Sequence, residues 1–326
     1  MRNLTILRLF VIPILTSLCS CIYDYPKGTG NNPSTVEAGI ELSYDLTWDE
    51  WLHEIDFSTR ARTERPHHFV FEIMTEGDGD IVCREEDWLS EEDFALGVLR
   101  HRFSTPLRPK AYDVAVWYER SADNFEMADM IDIDDFSNVR LKVFSHENAL
   151  RFNCGFAYDW INLSKYSGEL HASEVKKMTI GNAGARVTLI ATDVQQFLTE
   201  HHTEMLQGDS YSIEILTYEK SLNVYTGFAD NSDQNIKYTG DLFFPFGDYE
   251  ELRIADTFIF CNFEDYLSMR LLVYNSARMI VTQSPEINIP LKRGFVTMVK
   301  GDLLTFPING NLSIDHIWEG EFVIEV

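Results

Sequence analysis

Ile40, Leu42, Tyr44, Leu46 and Trp48 alternate with Glu41, Ser43, Asp45 and Thr47. A period of two held over nine residues places every apolar side chain on one face of an extended strand. The pattern returns at Phe69, Phe71 and Ile73, which alternate with Val70, Glu72 and Met74 before the turn Glu76-Gly-Asp-Gly-Asp80. Further strands are expected at 101–107, 112–118, 187–191, 211–219, 222–228, 236–246, 252–263, 269–274, 295–300 and 321–326. Only two helices are expected. Ser90-x-x-Asp93 caps a short one before Phe94 and Leu96, and Asp193 opens an amphipathic one reaching about Leu206, with Val194, Phe197 and Leu198 inward. Short strands, turn signals every 8–15 residues and few helices predict an all-β chain, a β-sandwich rather than a doubly wound sheet.

The first residues read differently. Arg2 and Arg8 precede an apolar or small run, Leu9 to Leu18, broken only by Pro13. A membrane helix needs roughly 20 apolar residues, so this run reads as a secretory leader. Leu18-Cys19-Ser20-Cys21 then fits a bacterial lipobox, with Leu18 at −3, Ser20 at −1 and Cys21 as the lipidated first residue of the mature chain. Cys19 fits worse, and an ordinary signal peptide with an incidental cysteine is the alternative. Ile22 to Glu37 carries Pro26, Gly28, Gly30, Pro33 and Ser34, the composition of a flexible tether. The expected organisation is a leader at 1–20, a tether at 21–37 and folded domains at 38–180 and 181–326.

The net charge of −25 becomes −27 once Arg2 and Arg8 leave with the leader. Such a surface repels phosphate backbones and anionic headgroups, which argues against nucleic acid or direct headgroup binding. Beyond Cys21 only Cys83, Cys154 and Cys261 remain. Two of them could pair in an oxidising compartment, but buried free thiols are the expected state.

Motifs that carry chemistry are missing from the sequence. It holds no HExxH, GxSxG, Walker loop or GxGxxG in context, so no enzyme and no cofactor is expected. His146-Glu147 lacks its second histidine, and His67-His68 and His201-His202 are adjacent pairs whose side chains diverge and are expected on the surface. The acidic run 121–135 and Asp230 to Asn235 lack the spacing of a calcium loop and read as solvated loops, with no metal.

Four stretches together resemble the fimbrillin-like and fimbrial-anchor lipoproteins of the Bacteroidota. They are Cys21-Ile-Tyr-Asp, Tyr112-Asp-Val-Ala-Val-Trp117-Tyr, Ala185-Arg-Val-Thr-Leu-Ile-Ala-Thr-Asp193, and Ile289-Pro-Leu-Lys-Arg293 with Thr297 and Gly301-Asp-Leu-Leu-Thr305. Ile180-Gly-Asn-Ala and Gly294-Phe depart from that pattern at packing positions. The resemblance implies two tandem transthyretin-like β-sandwich domains, attachment to the outer membrane through Cys21, display at the cell surface, and a role as fimbrial anchor or accessory subunit. It also implies strand addition with other fimbrial subunits. In related stalk subunits a protease removes the first strand, and Arg60, Arg62 and Arg65 would be the corresponding cutting sites here. Cutting there would separate the folded domains from Cys21, so an intact first strand is the expected state. The other functional reading is a surface lipoprotein that binds a glycan or host ligand through loops. Trp51, Trp88 and Trp160 clustered on one loop face would favour it.

Overall fold

The computed structural model describes residues 35–46, 67–77, 79–121, 130–142, 152–169, 171–201, 210–244, 250–306 and 322–325. The alternating stretch forms β1 (Thr35–Asp45). It begins five residues before Ile40, so Thr35 to Glu37, assigned to the tether, are strand. Val36, Ala38, Ile40 and Leu42 are all buried, at 2% exposure or less.

β1 joins a seven-stranded path with β2 (His67–Thr75), β3 (Ile81–Leu89), β4 (Val98–Arg102), β5 (Ala111–Ser121), β8 (Phe152–Asn162) and β9 (His171–Asn182). Its order is β3-β2-β5-β8-β9-β1-β4. A two-stranded ribbon, β6 (Ile131–Asp132) with β7 (Arg140–Leu141), stands beside it. The short helix α1 (Glu91–Phe94) lies between β3 and β4, with Ser90 Oγ accepting from Asp93 N at 3.2 Å, as its capping pattern requires.

The second half holds β10 (Gly184–Ala191), α2 (Val194–Glu200), β11 (Tyr211–Asn223), β12 (Phe228–Leu242), β13 (Leu252–Phe260) and β14 (Glu264–Tyr274). β15 (Ile280–Gln283), β16 (Ile287–Lys292), β17 (Val296–Gly301) and β18 (Phe322–Glu325) complete it. One sheet runs β13-β10-β17-β18 and the other β12-β11-β14-β15, with β16 also on β14. The fold is an all-β sandwich with two short helices among the described residues.

Several segments differ from expectation: the strand expected at 101–107 is β4, which ends at Arg102, and the helix expected to reach about Leu206 ends at Glu200. The 222–228 stretch is not a strand of its own: β11 runs on to Asn223, and the chain turns at 224–227, with Gly227 at φ +69°. Gly227 N donates to Asn223 O at 2.8 Å, closing that turn. The Asp230 to Asn235 stretch, expected as a loop, lies within β12 opposite a register shift between Tyr218 and Lys220, so extra residues are absorbed as a bulge. Asp193 does not cap α2. Its carboxylate instead accepts from Leu304 N and Thr305 N, at 2.9 and 2.5 Å, tying the start of α2 to the segment after β17.

The described residues form three apolar clusters. One lies inside the N-terminal strands around Ile40, Leu42, Phe69, Phe71 and Val116. A second lies between the two later sheets around Val187, Phe197, Ile215 and Leu271. The third joins the halves: Trp117 and Val70 meet Phe258 and Phe260, with the Trp117 and Phe260 rings edge-on at 6.1 Å. Even and odd positions of β2 and β5 are therefore both buried, one face on each cluster.

Candidate functional site

The distinctive geometry is at the strand edges of the N-terminal half. β1 is held on both sides, parallel to β9 at eleven register positions and antiparallel to β4 at five. Gly39 permits the closeness of β4, since a Cβ there would stand 2.9 Å from His101 O.

The ends of the path, β3 and β4, meet through side chains. His101 Nδ1 faces Asp87 at 2.5 Å and Nε2 faces Glu85 at 3.1 Å, while Ser104 N and Oγ donate to Glu85 at 3.0 and 2.6 Å. The His101 ring stacks on Phe71 with centroids 3.9 Å apart. A carboxylate only accepts, so both bonds form when the ring carries both protons.

The opposite seam is open. β8 and β9 pair only at Gly155 with Asn182 and Phe156 with Gly181, and then separate. A Cβ on Gly155 would lie 2.6 Å from Gly181 O, so glycine is what allows even that contact. Beside it lies a cavity of about 410 Å³ that spreads across four strands, lined by Val98 of β4, Glu41, Leu42 and Ser43 of β1, Lys177, Met178 and Thr179 of β9, and Ala157, Tyr158 and Asp159 of β8. Side chains span the opening: Lys176 Nζ lies 2.7 Å from Asp159 and 5.9 Å above the Trp160 ring. Away from the opening, Lys177 pairs with Glu41 of the neighbouring β1 at 3.1 Å, and in the connection after β8 Lys165 pairs with Glu174 at 2.8 Å. The Lys165 and Tyr166 partners hold the Glu174 carboxyl below its usual range, and Lys177 with Arg100 does the same for Glu41.

A family model described as a family of unknown function, DUF6562, matches residues 32–326. The chain belongs to the DUF6562 family. No curated protein matches this DUF6562 member. Among solved structures it is similar to the fimbrial anchor protein Mfa2 from Porphyromonas gingivalis, at 11% identity over 77% of this chain and 82% of that one, with a TM-score of 0.45. A candidate adhesin from Bacteroides ovatus is 12% identical over 77% and 76% of the two chains, TM-score 0.41. A fimbrial assembly protein from Parabacteroides distasonis is 10% identical over 82% and 90%, TM-score 0.33. These likenesses assign no residue role in the DUF6562 chain.

Several residues singled out in the sequence, Cys21, Trp51, Arg60, Arg62, Arg65 and the His146-Glu147 pair, lie outside the described residues. Trp88 and Trp160 are exposed but not together, and both stand on strands rather than loops. Trp88 pairs across to His68, Glu119 and then Cys154, six residues along β8 from Trp160, which is about 20 Å at the strand rise.

His67 and His68 do diverge, but neither is on the surface. His67 Nδ1 meets Tyr118 Oη and His68 Nδ1 meets Glu119, both at 2.9 Å. Burial, with Arg120 nearby, pushes the His67 pKa down to about 4. Of the described acids of the 121–135 run, Asp132 lies in β6 with its carboxylate 3.8 Å from Lys142 Nζ, and Asp135 Oδ1 accepts from Ser137 N at 2.8 Å. Among the described residues no three His, Cys, Asp or Glu side chains are placed to hold a metal, and no helix is long and apolar enough to cross a membrane. Cys83, Cys154 and Cys261 are free thiols. Burial raises the Cys154 pKa well above its ordinary value and that of Cys261 to about 12, which makes both poor nucleophiles.

The open seam was not singled out in the sequence, although a signal for it exists. Asp159 lies between Ala157 and Ile161, and Glu174 and Lys176 stand between Ala172 and Met178, charges on stripes that are otherwise apolar there. Inward charges of that kind mark an edge that is kept from pairing.

Proposed function

We propose that this DUF6562 protein is a non-catalytic cell-envelope lipoprotein that serves as a fimbrial anchor or accessory subunit, attached to the outer membrane through lipidated Cys21. The observation that carries the reading is the position of β1. This strand follows directly on the tether, yet it sits between β9 and β4 with four apolar side chains in the core. A subunit whose first strand is that firmly built in keeps its fold continuous with its lipid, as a base that bears load must. Stable membrane attachment takes more than one acyl chain, and a bacterial lipoprotein cysteine supplies three. Partner subunits then engage by main-chain pairing at strand edges, a mode that takes affinity from backbone hydrogen bonds.

The test is deletion of the gene in the producing cell. The anchor reading expects fimbriae to appear in the medium rather than on cells, with restoration by the wild-type gene but not by Cys21→Ala. Fimbriae that stay attached in the deletion strain would refute it.

A further inference from the structure

We propose that the cavity spreading over β8, β9, β1 and β4 binds a short segment of a neutral oligosaccharide. The proposal does not depend on the anchor reading, and it places the ligand on the outer face of a sheet rather than on loops.

Alternation and register assign the side chains. Leu42, Met178 and Ala157 belong to the N-terminal core, so Glu41 and Ser43, Lys177 and Thr179, and Tyr158 point to the opposite face. Register then sets them in two rows. Ser43 stands beside Thr179 and Val98, and Glu41 stands beside Lys177 and Arg100. β8 leaves β9 after pairing at Gly155 and Phe156, and the same antiparallel count brings Tyr158 to the end of the first row and Trp160 to the end of the second. The cavity at this divergence holds about 410 Å³, inside the range of roughly 300–1,000 Å³ common to small-molecule sites.

The groups on the two rows match a sugar. In the first, the Ser43 and Thr179 hydroxyls lie 2.8 Å apart, and each can donate and accept. In the second, Glu41 takes Lys177 Nζ on one oxygen at 3.1 Å and Arg100 Nε on the other at 2.8 Å. That carboxylate is fixed in place and keeps lone pairs for a ligand hydroxyl. Tyr158 and Trp160 present rings at 49% and 59% exposure, about 7 Å apart along β8 at the strand rise. The Tyr158 ring is backed by its surroundings. It stacks on Phe156 with centroids 6.2 Å apart, and a Cβ on Gly227 would stand 2.7 Å from its Cε1. A pyranose offers an apolar C–H face to such a ring and a rim of hydroxyls to the polar groups beside it, and the next unit of the chain repeats the pattern.

Other ligand classes fit less well. An anion would have to draw Lys177 and Arg100 away from Glu41, on a chain of net charge −25 that repels it. An apolar ligand would cover the hydroxyls and the ion pairs without giving them partners. A charge-balanced, hydroxyl-lined cavity with aromatic rings at one end suits a neutral polyol.

The experiment titrates the purified full chain with cellopentaose, maltopentaose and mannopentaose, and separately with pentagalacturonate, by calorimetry and saturation-transfer NMR. At least one neutral sugar should bind with millimolar or tighter affinity, and pentagalacturonate should bind more weakly. Tyr158→Ala should weaken that binding about tenfold through the lost ring contact. Trp88→Ala, which removes an exposed ring on β3, should leave it unchanged. Val98→Trp fills the cavity from the β4 side and should abolish binding, which keeps the test open if Tyr158→Ala disturbs the packing of β8; urea midpoints report that each variant is folded. No binding of any of the neutral sugars at millimolar concentration, tighter binding of pentagalacturonate, or wild-type affinity in folded Tyr158→Ala or Val98→Trp protein would each overturn the proposal.

Discussion

Leu42→Ala asks whether β1 is an integral strand. Leu42 has no exposed surface and lies in the N-terminal core, paired with Leu99 of β4 and Met178 of β9. The substitution removes three carbon atoms from that core, a transfer loss of about 2.4 kcal/mol at roughly 0.8 kcal/mol per methylene. The cavity left behind adds to this, and buried Leu→Ala changes span about 2–5 kcal/mol, so a loss of about 3 kcal/mol is expected. Ser43→Ala, one residue away on the outer face, removes the Ser43–Thr179 hydroxyl contact of 2.8 Å and the long 3.4 Å bond from Ser43 Oγ to Met178 O, and should cost less than about 1 kcal/mol. Urea unfolding of the two variants beside wild type reads the difference. A second assay nicks the chain between β1 and β2 with a trypsin-like protease and follows retention of the first strand. The same 3 kcal/mol weakens that retention by roughly 150-fold. A loss below about 1 kcal/mol for Leu42→Ala, or equal effects of the two variants, would refute the packing argument and with it the claim that β1 is built in.

Gly184→Ala places a Cβ 2.2 Å from Ile259 O, so β10 and β13 must separate locally. Thermal melts should show a loss of about 1–3 kcal/mol, and an unchanged melting temperature would contradict the pairing. His67 contributes a pH dependence of known sign. Its folded pKa of about 4 lies below its ordinary value, so the unfolded chain takes up the proton first as pH falls. Stability should drop as pH goes from about 6.5 toward 4, by at most about 1.4 kcal/mol per pH unit from this group, and His67→Gln should flatten that part of the profile in denaturation series. Thiol labelling of the native protein should leave Cys154 and Cys261 unmodified, and labelling after unfolding should reach Cys83, Cys154 and Cys261. A disulfide-linked pair in the purified protein would contradict the free-thiol state.

What could be read from the sequence was local. β1 announced itself because its apolar residues recur at a strict period of two, and α1 because Ser90 and Asp93 form a cap within one turn. The extent of β11 and β12 was misread because Leu222, at the end of β11, and Val224, inside the hairpin turn, are both core residues, and the turn's signal, Thr226-Gly227, sits inside an apolar stretch. His67 and His68 looked like surface residues because they are polar and adjacent. Their burial depends on Tyr118 and Glu119, 51 residues away, which no local pattern reveals. The open seam depends on strand order. Nothing in 152–162 or 171–182 says that two strands adjacent in the path will pair at only two positions. The inward charges Asp159 and Lys176 were the visible trace of it, and they have meaning only once the two stripes face each other.

The account rests on a first strand that stays in place while a partner adds elsewhere. Intact-mass analysis of the protein extracted from fimbriated cells tests this most directly. The account predicts one chain whose N-terminal residue is lipid-modified Cys21 and which continues unbroken through β1 into β2. A mature chain beginning just after Arg60, Arg62 or Arg65, lacking β1 and lipid, would contradict it.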